Sequence, residues 1–217
     1  MTHRSDDNIA LDGTKLEVLS DHYSNTYAGI QASLKKRDRL FAGTLALLFV
    51  MVFQLYAPTE SSNFIAELIA QKLDTSETVN FIYVQSAIWY VLLATAIKYF
   101  QIVISIERQY KYIHSLESII SIEYDGQAFT REGASYLAEY PAFLNWASFL
   151  YTVLFPAILV VVSATKIIYE IKKLGFGEPL IWFNGLMFTY LVISILLYLL
   201  GLHSKKRICH DETRSRS

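Results

Sequence analysis

The 217 residues would suffice for one soluble domain, but 53% are hydrophobic, 14% are aromatic, only 18% are charged, and mean hydropathy is +0.30. A soluble domain carries roughly 25% charged residues; here the charges are clustered and long stretches have none, which excludes an ordinary water-soluble fold. The net charge of −1 identifies no partner, and the single cysteine, Cys209, excludes an intrachain disulfide.

Residues 1–19 are polar, with charges throughout, and are expected to form a flexible N-terminus without a leader peptide. From Ser20 to Arg39 the apolar positions Tyr23, Tyr27, Ile30 and Leu34 recur at steps of four, three and four. That is the spacing of an amphipathic helix with one apolar seam, for which Ser20 is a plausible N-cap. Four uncharged windows follow at Leu40–Ala57, Thr78–Ile97, Tyr140–Thr165 and Pro179–Leu202. Each is long enough to cross the roughly 30 Å hydrocarbon core. The expected spans are about residues 40–57, 79–106, 142–168 and 179–202, with Pro156 expected to kink the third. The expected fold class is therefore all-α, a four-transmembrane-helix bundle.

Between the first two spans, Phe64, Ile65, Leu68, Ile69 and Leu73 share one face of a short amphipathic helix. The second span continues inward as a helical stripe of Ile106, Tyr110 and Ile113. Adjacent antiparallel spans would emit these extensions side by side, as a two-helix stalk facing its own seam or a neighbouring subunit. Asp125–Gly126 should end the second extension within a helical loop over 107–141, and Thr130 and Pro141 are set to open the next two helices. Residues 203–217 form a basic tail.

Basic residues flank the first span (Lys35, Lys36, Arg37, Arg39) and follow the last (Lys205, Lys206, Arg207), so both termini are expected in the cytoplasm of a cell (inner) membrane. Lys166, Lys172 and Lys173 conflict with this, because they would lie outside, between spans three and four.

No zinc-binding HExxH, GxSxG elbow or phosphate-binding loop is present, and Glu170, Glu178 and the histidines are scattered, so no enzyme and no cofactor are expected. His203, Cys209 and His210 lack a fourth ligand, and no metal is expected. Nothing in the sequence calls for nucleic acid. Gln85, Thr95 and Lys98 are candidates for a polar path in an oligomer, against the plainer reading that the amide and hydroxyl pack helices and the lysine snorkels to headgroups. The candidate partner-facing stalk comprises Tyr23, Tyr27, Ile30, Leu34, Ile106, Tyr110 and Ile113.

The run HYSNTYAGIQASLKKRDRLF entering a membrane hairpin, followed by IERQYKYIHSLESIISIEYDGQ, resembles small membrane effectors of bacterial conflict and phage-defence systems, including the SLATT-type group. The likeness covers about residues 20–125, and the two further spans depart from it. It implies a homo-oligomer that perturbs the bilayer when infection is signalled. The other open reading is a non-conducting anchor for a cytosolic protein partner.

Overall fold

The computed structural model describes residues 3–73, 81–123, 146 and 149–214, with side chains at 17–68, 71, 83–119, 146 and 149–201. The helices are α1 (His3–Tyr56), α2 (Pro58–Leu73), α3 (Phe81–Glu123), α4 (Phe155–Leu174), which follows a π-helical turn at Leu150–Leu154, and α5 (Pro179–Arg214). Four helical segments are long and apolar enough to cross a membrane: Glu17–Tyr56, Tyr83–Ile119, Leu150–Leu174 and Pro179–Gly201. The chain is an all-α, multi-pass membrane protein.

Two elements extend past their expected limits. Helix α1 reaches back to His3, which leaves Ser20 in its interior and not at its cap. The residues before Ser20 include no proline and several strong helix formers (Ala10, Leu11, Lys15, Leu16, Glu17), so nothing interrupts the backbone ladder. Helix α5 likewise continues to Arg214, through most of the expected basic tail. Asp125, Gly126, Thr130 and Pro141 lie outside the described residues.

Helix α1 ends where Pro58 opens α2, the position at which a missing N–H does no harm. In α2, Phe64 and Leu68 are exposed and Ile65 is half-buried. Between α4 and α5 the turn is only four residues long, and Gly175 carries it at φ 76°, a conformation that glycine adopts without strain. So short a connection makes α4 and α5 antiparallel neighbours.

Pro156 changes the hydrogen-bond register of the third span. The Phe155 N–H bonds to the Leu150 carbonyl, five residues back. In that register the proline has no N–H to give to the Tyr151 carbonyl, and the Tyr99 hydroxyl donates to this oxygen instead, at 3.4 Å. The two features should therefore be coupled. Tyr99→Phe is expected to destabilise the wild-type bundle by about 0.5–1 kcal/mol. It should have less effect in a Pro156→Ala background, where the backbone supplies the donor itself. A double-mutant cycle by unfolding in detergent measures the coupling, and purely additive effects would exclude it.

The chain divides into two compact units, Met1–Arg39 with Gln101–Asn145 and Leu40–Phe100 with Trp146–Ser217. In the first, Ile30, Ile106, Ile113 and Leu116 are buried, and Tyr23, Tyr27, Leu34 and Tyr110 are half-buried. The His22 Nε2 and the Tyr112 hydroxyl are hydrogen-bonded at 2.7 Å, and the Tyr23 hydroxyl donates to Glu117 Oε1 at 3.2 Å. Burial of Ile30 further along α1 and of Ile106 further back along α3 is the register of two antiparallel helices. Of the seven residues proposed from the sequence, Ile30, Ile106 and Ile113 are buried and Tyr23 bonds across to α3.

In the second unit the ring contacts give the direction of each span. Phe41 of α1 packs against Tyr99 of α3, Tyr151 and Phe155, with centroid distances of 6.1, 4.9 and 4.8 Å. Phe100 stacks on Tyr198 of α5 at 4.5 Å. These rings form an aromatic layer at one end, where α1 and α4 enter the bundle and α3 and α5 leave it. Beyond it lies an apolar zone of Leu48, Leu92, Ala96, Leu159, Leu191 and Ile195, all buried.

Candidate functional site

Three of the four spans converge on one carboxylate in the half of the second unit remote from the aromatic layer. Glu170, on α4, is 1% exposed. Gln85 Nε2 donates to its Oε1, Trp89 Nε1 lies 3.2 Å from both oxygens, and Asn184 Nδ2 donates to Oε2 at 2.8 Å. The fifth group is Lys166, 2% exposed, with Nζ 3.6 Å from Glu170 Oε1.

Each contribution follows from helical spacing. Gln85 and Trp89 are four residues apart on α3, so they stack on one face. Lys166 and Glu170 have the same spacing on α4, which carries Leu159, Ser163 and Ile167 on the same buried stripe. Asn184 reaches Glu170 because the four-residue turn folds α5 directly back along α4. Phe188, one turn further, packs edge-on to Trp89 at 6.2 Å.

An ion pair taken out of water is tolerated only when the remaining lone pairs and protons are met. The carboxylate meets that condition, with neutral N–H donors from α3 and α5 on both oxygens. The ammonium does not. Among the described residues its contacts are the carboxylate at 3.6 Å and the Tyr169 ring at 6.0 Å. The centre is an anion locked in place by three helices, beside a cation with hydrogen-bonding capacity to spare.

Of the residues proposed for a polar path, only Gln85 enters this centre. Thr95 donates back to the Val91 carbonyl of its own helix at 2.7 Å, and Lys98 is exposed. At 100° per residue, Lys98 lies about 140° around α3 from Gln85, so within one chain the three residues do not share a face. Lys166 requires a correction: it sits within α4, buried, and not in a connection between spans. Glu170, also thought isolated, is its partner. Counting uncharged residues stopped the third window at Thr165 and so missed both; the i,i+4 pairing of opposite charges was the available signal.

Among the described residues no three His, Cys, Asp or Glu side chains gather as a metal site would require. The side chains of His203, Cys209 and His210 lie outside the described residues. No family model, no curated protein and no solved structure matches this chain.

Proposed function

We propose that the protein is a membrane-embedded effector or sensor of a bacterial inner membrane, without enzymatic activity, in which the paired helices of the first unit receive a signal and the four spans respond. The observation that carries this reading is the buried Lys166–Glu170 pair. An ionic centre inside an apolar bundle is expensive, and apolar packing would hold a passive anchor together at least as well. Such a centre is suited to a bundle that must change between two arrangements. Helices α1 and α3 each run without a break from one unit into the other, which supports signal transfer along the helix backbone. The resemblance of residues 20–125 to SLATT-type effectors points towards antiviral defence and a homo-oligomer, and the basic residues before the first span and after the last favour cytoplasmic termini.

One observation favours the alternative, a non-conducting anchor for a cytosolic partner. Within one chain Gln85, Thr95 and Lys98 do not converge, because Thr95 bonds back to its own helix and Lys98 lies on another face of α3. A membrane-potential dye separates the two readings. Cells expressing the protein are expected to depolarise on phage challenge, and cells expressing Glu170→Gln at equal membrane level are expected to respond several-fold less. An unchanged potential in challenged wild-type cells would leave the anchor.

A further inference from the structure

Each of the four spans carries a buried polar side chain with an atom that no described residue bonds: Gln54 Oε1 and Nε2, Ser86 Oγ, Ser163 Oγ and Asn184 Oδ1. All four residues are at most 5% exposed. The two serines stand apart from other hydroxyls of the spans. Thr44, Thr95, Thr165, Thr189 and Ser194 each donate back to a carbonyl of their own helix, the usual solution in an apolar medium. Ser86 and Ser163 do not.

Three of these groups, Gln54, Ser86 and Asn184, lie at one level with Glu170. From the aromatic layer, Gln54 is thirteen residues along α1 from Phe41, and Ser86 is thirteen back along α3 from Tyr99. Glu170 is fifteen along α4 from Phe155, and Asn184 is fourteen back along α5 from Tyr198. At 1.5 Å per residue all four lie about 20–22 Å from that layer. Lys166 is eleven residues from Phe155 and Ser163 eight, about 16 and 12 Å from that layer, so Ser163 is close to the level of Leu92 and Leu191, on the stripe that leads to Glu170. An ammonium with hydrogen-bonding capacity to spare, amide oxygens short of donors and the free hydroxyl of Ser86 therefore occupy the same stretch of bundle interior, with the Ser163 hydroxyl about two turns nearer the aromatic layer. Each group lacks what water provides, and water held in a protein interior bridges two to four such partners.

We propose that the four spans enclose a chamber of bound water around Lys166 and Glu170, open to the aqueous phase at the end bearing the α4–α5 turn and closed at the other end by the aromatic layer. The polar level is about 8–10 Å from the nearer surface of a 30 Å hydrocarbon core, whereas the opposite route crosses the apolar zone and the ring layer. The chamber gives the ion pair access to protons and small ions from one side of the membrane only. This inference rests on the burial and spacing of these residues and not on the effector reading.

Two measurements on the full chain in lipid nanodiscs or vesicles test it. Radiolytic hydroxyl-radical labelling oxidises aromatic side chains beside bound water, whatever their burial. Trp89 and Tyr99 are both 1% exposed. Trp89, at the polar centre, is expected to be oxidised at least ten times faster than Tyr99, in the aromatic layer. Equal rates would overturn the chamber. In a Cys209→Ser background, Ser86→Cys preserves side-chain size and is expected to react with a small membrane-impermeant methanethiosulfonate applied from the turn side. Its rate should exceed that of Leu159→Cys, in the apolar zone, by tenfold or more. Labelling only from the opposite side, or at the Leu159→Cys rate from either side, would overturn the opening.

Discussion

Glu170→Ala is expected to destabilise the four-span unit by about 3–5 kcal/mol, the range for removing one member of a buried ion pair. The change strands three donors at once, the Gln85 amide, the Trp89 indole and the Asn184 amide, and leaves the Lys166 charge without a counterion. Lys166→Met should be milder, about 1–3 kcal/mol, because the carboxylate keeps its three N–H partners. Glu170→Gln should fall between them, since one acceptor oxygen survives. Denaturant or thermal unfolding in detergent, followed by helicity, gives the order. A Glu170→Ala protein as stable as the wild type would mean that this centre does not hold α3, α4 and α5 together.

The second large effect is expected in the first unit. Ile30 is 0% exposed, and Ile30→Asp places a carboxylate on the face where α1 meets α3. Burying an unpaired charge costs several kcal/mol, more than two paired helices can supply, so the pair should separate. Limited proteolysis is expected to cut within 3–39 and 101–123 while the four-span unit stays intact. The depolarisation expected of the wild type should be lost as well. Ile119→Asp is the control, because Ile119 is 46% exposed and a surface change there should stay within about 0.5 kcal/mol. Undiminished depolarisation by a cleaved Ile30→Asp protein would exclude the first unit as the receiving surface.

Some of this architecture could be read without coordinates. The length and apolarity of the windows beginning near Leu40, Thr78, Tyr140 and Pro179 correspond to four membrane-crossing helices, because a single continuous apolar run can close its backbone hydrogen bonds within hydrocarbon only as a helix. The step pattern through Tyr23, Tyr27, Ile30 and Leu34 marks the face that α1 buries, since side chains recur on one face every three to four residues whatever lies opposite. These are local properties of a single helix.

The polar centre was not legible in this way. A lysine in an apolar run reads as a loop or as snorkelling until its partners are known, and the partners of Lys166 and Glu170 lie as far away in sequence as Gln85. The same holds at Pro156, where the distant Tyr99 hydroxyl donates to the Tyr151 carbonyl, which the proline, having no N–H, cannot serve. Sequence by itself determined that the chain is all-α, how many times it can cross a membrane and which stripes are apolar. Only the tertiary structure decided that Lys166 belongs inside the bundle and that α3, α4 and α5 close around Glu170. The reason is physical: apolar burial depends on each residue's own transfer energy, whereas the cost of a buried charge or a freed carbonyl depends on which groups the fold brings within hydrogen-bonding distance.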